Sequence, residues 1–151
     1  MLKKNEIIEI IHHRRLGAID YGLKRVGFAV CDELHISITP KAVLDPTSEK
    51  FWPQLAEWLE RERVALVVVG MPFRPDPTEK TEVITAIEGF IGELRAKTGL
   101  EVIVRDESFS SVRAAETMFA VGKKKKQRAQ KGNKDMIAAA IILREFLAEL
   151  E

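Results

Sequence analysis

The chain has a single cysteine, Cys31, in 151 residues. No intramolecular disulfide can form, which fits a reducing cytosol, and Cys31 reads as a small apolar residue buried in a strand. Long hydrophobic runs are also missing. Val64–Met71 and Ile137–Leu143 are the longest, far short of the ~20 apolar residues that span a bilayer, so no membrane partner is expected. The N-terminus, Met1-Leu2-Lys3-Lys4-Asn5-Glu6, carries neither a secretory apolar region nor a small-residue cleavage site. There are three histidines. His12 and His13 are adjacent, hence on different faces of a helix or strand, and read as surface residues. Together with one cysteine they have no zinc-site spacing, which favours a hard metal over a soft one. Neither a P-loop nor a G-x-S-x-G nucleophile turn occurs. No sign of charge dominates, because the net charge is +1, so bulk charge names no partner.

What remains is the composition of a soluble globular protein, 46% apolar and 31% charged. Residues 1–151 read as one domain large enough for its own core, with 1–14 as an N-terminal extension. In that extension Ile7, Ile8, Ile10 and Ile11 permit a short amphipathic helix or a strand. Leu16 to Asp20, Val26 to Cys31 and Ile36 to Val43 form an antiparallel meander, its third strand interrupted at Pro40. Ser48 is expected to cap a helix from Glu49 to Arg63, with Phe51, Leu55, Trp58 and Leu59 inward. Val64–Met71 is continuously apolar, the pattern of a parallel strand covered on both faces. Thr78 is expected to cap a helix to Lys97, which Gly99 stops. Leu100 to Arg105 is a further strand and ends at Asp106-Glu107. Ser110 or Ser111 caps a helix to Val121, and a basic loop follows Gly122. Asn133 is expected to cap a last helix, Lys134 to Leu150, with Ile137, Ile141, Phe146 and Leu150 inward. This order predicts an α/β fold: a five-stranded mixed sheet, three strands in a meander plus two parallel strands, with helices on both faces and the first strand central.

Three acids are candidates for chemistry. Asp20 ends the first strand, Asp106-Glu107 ends the last, and Asp135 falls in the first turn of the final helix. In a sheet with parallel strands, sites form beyond the carboxyl ends of those strands. Each acid also has an ordinary use: Asp20 as a hairpin-turn residue, Glu107 as a loop or capping acid, Asp135 as a partner for the helix dipole. Their convergence on one edge favours the functional use. Clustered carboxylates raise one another's pKa unless a cation relieves them, and Mg²⁺ takes such oxygen ligands together with water and phosphate. Two ions together can activate a water and stabilise a leaving oxygen in phosphodiester cleavage. Lys24 and Arg25, in the turn after Asp20, are placed to hold phosphate. Lys123, Lys124, Lys125, Lys126, Arg128, Lys131 and Lys134 form an acid-free basic segment, which can meet a polyanion or serve as a solvated loop.

The stretch LGAIDYGLKRVGFAVCD resembles the first motif of the YqgF (RuvX) family of Holliday junction resolvase-like nucleases, linked to maturation of the 5′ end of pre-16S rRNA. The resemblance continues in VVVGMPFRPDPTE, DESFSS and KGNKDMIAAAIIL, covering Leu16 to Leu147 with the motifs in order. It implies an RNase H-like fold. It also implies that Asp20, Glu107 and Asp135 are catalytic metal ligands, that Mg²⁺ or Mn²⁺ is required, and that the protein is cytoplasmic. The partner would be nucleic acid, pre-rRNA before branched DNA, and the protein a monomer or homodimer. Lys24, Arg25, Lys123, Lys124, Lys125, Lys126, Arg128 and Lys131 would hold the backbone. Few exposed aromatics are evident, so shape rather than sequence recognition is expected. Two positions depart from the family. Ser108 stands where arginine usually follows the Asp-Glu pair, removing a cation near the site, and Lys134 replaces a more usual apolar residue. A noncatalytic nucleic-acid-binding factor on the same scaffold is the second reading. An actin-like nucleotide phosphatase module comes last, because the chain is too short for the paired domains that grip a nucleotide.

Overall fold

Runs of apolar residues become strands here, and amphipathic runs become the helices that cover them. A computed structural model describes residues 2–72, 74, 76, 78–107 and 131–151. Its elements are α1 (Lys4–Ile11), β1 (Arg15–Tyr21), β2 (Val26–Cys31), β3 (Ile38–Leu44), α2 (Phe51–Arg61), β4 (Val64–Met71), α3 (Glu82–Thr98), β5 (Glu101–Asp106) and α4 (Lys131–Glu149). The strands form one sheet in the order β3-β2-β1-β4-β5. β1–β2 and β2–β3 are antiparallel, whereas β1–β4 and β4–β5 are parallel. The central position of β1, the meander and the two parallel strands are as the sequence predicts. Pro40 falls on an edge strand, where its missing N–H costs no internal ladder bond. The β2–β3 register shifts beside it, leaving Lys41 as the extra residue.

Side chains alternate across the sheet and split the core in two. Ile19, Phe28, Val67 and Val69 pack with Leu55 of α2 and with Ile87 and Leu94 of α3. On the other face Leu16, Ala18, Leu66 and Val68 pack with Ile7 and Ile11 of α1 and with Leu143 and Phe146 of α4. Ala29 meets Ala139 and Ala140, and these small side chains let α4 lie close against β2. Its buried stripe is Ala139, Ala140, Ile142, Leu143 and Phe146, whereas Ile137, Ile141 and Leu150 are only half-buried. The α4 stripe is thus set by close approach to the sheet rather than by the largest residues.

Most differences from the sequence reading are at element ends. Thr81, not Thr78, caps α3, its side chain accepting from the Ile84 N–H at 3.2 Å. Thr78 instead donates its hydroxyl to Asp76 Oδ1 at 2.7 Å, a local turn that competes with capping. Ser48 likewise makes a turn, its Oγ accepting from the Lys50 N–H at 3.1 Å, and α2 starts at Phe51. Ile36 lies before β3, because the Asp32 carboxylate accepts the N–H groups of Ile36 and Ser37 and closes a turn there. Asn133 lies inside α4, which begins at Lys131, so Asp135 is past the first turn. Gly99 ends α3 in the left-handed conformation, φ 70°. The helix expected from Ser110 or Ser111 to Val121, and the basic loop, lie outside the described residues. Among the described residues no helix is long and apolar enough to cross a membrane.

Candidate active site

Asp20 is next to last in β1 and has glycine on both sides. Gly27 of β2 pairs with it directly. Gly70 of β4 stands one position beyond the Ile19–Val69 pair. Alternation along β1 puts Asp20 on the α4 face with Leu16 and Ala18. The glycines make room on that face. A Cβ on Gly27 would overlap the Asp135 carbonyl oxygen, so the α4 backbone rests on the sheet there and carries Asp135 to Asp20. A Cβ on Gly70 would stand 2.6 Å from Ile142 Cδ1 and 3.4 Å from Glu107 Cγ.

Glu107 follows β5 and extends its ladder by one bond, its N–H donating to the Met71 carbonyl at 2.8 Å. Its side chain is buried on the α4 face, 7% exposed. Asp106, one residue earlier, is exposed, which separates the two acids that the sequence leaves equivalent. Arg105 Nη1 donates to Glu107 Oε1 at 2.7 Å and lies 3.0 Å from Glu145 Oε2. Its Nε donates to Glu149 Oε1 at 2.9 Å. One guanidinium therefore joins the end of β5 to two successive turns of α4. On the opposite side of Asp20, Arg25 Nε donates to Asp135 Oδ2 at 3.0 Å.

Among the described residues, Asp20 pairs with no arginine. Burial pushes its carboxyl up to about 7, the charges of Asp135 and Glu107 push the same way, and Lys134 opposes them. Burial also raises Glu107, against the hydrogen bond and charge of Arg105. Each outer acid is turned to an arginine. Among the described residues no three acids, histidines or cysteines are close enough to form a finished metal cage. The donor chemistry nevertheless suits a hard cation: the groups are carboxylates, and the middle one is held at a pKa that a divalent charge would lower.

Lys24 is exposed in the β1–β2 turn. Arg25 is in the same turn but spends its Nε on Asp135. Lys131 opens α4. Lys123, Lys124, Lys125, Lys126, Arg128 and Ser108 lie outside the described residues. The sequence reading missed Arg105. The substitution by Ser108 suggested a missing cation, yet Arg105 supplies one to Glu107 from the preceding strand. Its signal was a lone cation on a strand, two residues before Glu107 and hence on the same face. Gly27 and Gly70 were missed as well; their signal was a glycine inside an apolar strand, which marks close approach by another group.

The family model RuvX, described as Holliday junction resolvase, matches residues 14–149. A protein of Amoebophilus asiaticus named "Putative pre-16S rRNA nuclease" is 38% identical over 136 residues, covering 89% of this chain and 94% of its own. A protein of Chlorobium luteolum with the same name is 35% identical over 136 residues, with the same shares. Among solved structures, Thermus thermophilus RuvC in complex with Holliday junction substrate aligns with a TM-score of 0.53 at 18% identity, over 89% of this chain and 96% of that one. Fowlpox virus resolvase in complex with Holliday junction DNA gives 0.51 at 16% identity, over 89% and 99%. These structures establish the fold as RuvC-like, of the RNase H-like class. With almost the whole sequence matched by the family model and relatives aligned along nearly their full lengths, the chain belongs to the RuvX family.

Proposed function

We propose that this protein is a divalent-metal-dependent nuclease of the cytoplasm that processes the 5′ end of pre-16S rRNA. The observation that carries the reading is Asp20, flanked by Gly27 and Gly70 and raised to about 7 with Asp135 and Glu107 acting on it. Burial and the charges of Asp135 and Glu107 disfavour the charged form of Asp20, and a divalent cation bound there would relieve them. Asp20, Glu107 and Asp135 would hold Mg²⁺ or Mn²⁺, which supplies Lewis-acid polarisation of the phosphodiester and activation of water. Arg25 and the exposed Lys24 hold the adjacent phosphate, and the basic segment from Lys123 to Lys131 extends that contact along the backbone. Contacts of this kind position the strand and weaken with salt.

Pure protein is incubated with labelled pre-16S rRNA fragments and with four-way DNA junctions, in Mg²⁺, in Mn²⁺ and in chelator. Metal-dependent cleavage of the RNA, abolished in Asp20→Asn, is expected. Preferential cleavage of the junction would move the substrate to branched DNA. The arginine pairing of Asp135 and Glu107 favours one other reading, a noncatalytic RNA-binding assembly factor; salt-sensitive binding without turnover in any metal would establish it over the nuclease.

A further inference from the structure

Tyr21 follows Asp20, so its side chain goes through to the opposite face of the sheet. There it enters a cleft of about 200 Å³ between the starts of the β3–α2 connection and α2 on one side and α3 on the other. The cleft is at the same end of the sheet as the three acids, because α2 begins where β3, running alongside β1, ends. Its walls are aromatic. Tyr21 and Phe90 have ring centroids 4.6 Å apart, and Phe90 stacks on Trp52 at 5.4 Å with 23° between planes. Phe90 is buried, whereas Tyr21 and Trp52 are only partly covered. The α3 side of the cleft is formed by Ala86 and Gly89. A Cβ built on Gly89 would meet nothing within 4 Å, so no packing demand accounts for glycine there, and the space above it is open.

The polar side chains lining the cleft are Tyr21, through its hydroxyl, and Glu93, through its exposed carboxylate. The carboxylate is near enough to Tyr21 for its charge to add to the effect of burial in raising that phenol. Lys97, one turn further along α3, has its Nζ 5.3 Å from the Trp52 ring. Aromatic walls, open space over Gly89, a phenol hydroxyl, a carboxylate acceptor and one cation make a site for a flat, amino-bearing heterocycle next to a phosphate. The cleft is smaller than the ~300 Å³ and upward of drug-sized ligand pockets. It is sized for a single ring system.

We propose that this cleft is a nucleobase subsite, holding one unstacked base of the strand whose phosphate lies at Asp20. The proposal rests on the nuclease reading for the identity of the strand. Aromatic faces bind any base by stacking. The Glu93 carboxylate accepts hydrogen bonds only; adenine, cytosine and guanine offer it an exocyclic amino group, whereas the N3–H of uracil is flanked by two carbonyl oxygens that the carboxylate repels, so the amino-bearing bases are favoured. Lys97 takes a phosphate of the same nucleotide. An unstacked base is available in single-stranded RNA and unavailable within a closed duplex, so the subsite selects a single-stranded or frayed cleavage position.

The test is binding of labelled RNA hexamers (oligo-A, oligo-C, oligo-U and an abasic hexamer) to the full-length protein in chelator, where no cleavage intervenes, read by fluorescence anisotropy. Oligo-A and oligo-C should bind more tightly than oligo-U, and all three more tightly than the abasic strand. Gly89→Leu should fill the cleft from an exposed helix position without disturbing the core. It should weaken oligo-A about tenfold, the size of one lost base–aromatic stack, and leave the abasic strand unchanged. Glu93→Gln should narrow the gap between oligo-A and oligo-U. A wild type that holds base-bearing and abasic strands alike, or holds neither, overturns the proposal, as does a Gly89→Leu protein that binds oligo-A like wild type. Cleavage plays no part in these outcomes, so a protein that discriminates bases but never cuts RNA in Mg²⁺ or Mn²⁺ refutes the nuclease and leaves the subsite standing.

Discussion

Asp20 carries the least comfortable charge described in the molecule, and its discomfort has a measurable sign. Its carboxyl titrates at about 7 in the fold against an ordinary 3.8. The native state therefore holds this proton more tightly than the unfolded chain does. Its contribution to stability is complete below about pH 4 and is lost as pH rises through 7. Asp20→Asn should match wild type near pH 4 and exceed it by about 2 kcal/mol at pH 8, roughly half of what a displacement from 3.8 to about 7 represents at ~1.4 kcal/mol per pH unit. Urea unfolding in chelator at several pH values checks this; a wild-type-to-variant difference that stays constant with pH would refute it. Arg105 has the complementary role. It is 17% exposed and serves Glu107, Glu145 and Glu149 together. Arg105→Ala should cost about 2 kcal/mol, less than the ~3–5 kcal/mol of breaking a fully buried pair. Adding Glu107→Gln should recover part of that loss, because the buried group left behind is then neutral. A double-mutant cycle showing simple additivity would mean that the two residues do not act as a pair. Asp20 was legible in the sequence because an acid ending an apolar strand is conspicuous. Arg105 was legible only toward Glu107, two residues on; its other partners, Glu145 and Glu149, lie 40 and 44 positions away and only the fold brings them to it.

At the scale of elements, strands were legible and helix starts were not. Val64–Met71 and Val26–Cys31 coincide with the expected runs because continuous burial on two faces leaves no other pattern. Caps failed where Ser48 and Thr78 found nearer partners in their own turns, a local competition that residue type alone does not decide. The seating of α4 on the sheet was invisible for a different reason: it depends on the missing side chain of Gly27, and absence of bulk has no periodicity. Gly27→Ala should therefore lift the Asp135 turn of α4 and cost about 2–3 kcal/mol, as overpacking does. Gly92→Ala is the contrast, a mid-helix glycine with nothing within 4 Å of an added Cβ, and should stabilise by about 0.5–1 kcal/mol. Thermal melts of the two variants should move in opposite directions. Equal shifts would show that α4 does not rest on Gly27.

The molecule as a whole has two cores separated by one sheet, and the candidate metal ligands draw on them unequally. The core with α2 and α3 holds Leu55, fully buried against Phe28 and Val67. The core with α1 and α4 holds Leu143, also fully buried. Either residue changed to alanine removes a similar volume and should cost about 3 kcal/mol of stability, within the ~2–5 kcal/mol usual for such truncations. Their effects on the site should differ. Asp135 reaches Asp20 only because α4 is pressed onto β2, so slack under Leu143 is slack in the ligand set. Leu55 is beneath the other face and supports neither Asp135 nor Glu107. Mn²⁺ affinity followed by electron paramagnetic resonance should therefore fall several-fold in Leu143→Ala and stay at the wild-type value in Leu55→Ala, at a temperature where both are fully folded. Equal losses in the two variants would mean that metal affinity follows global stability. Equal retention would mean that the acids are held by their arginines rather than by the packing of the helix. A loss confined to Leu143→Ala would assign the positioning of the site to the α4 core.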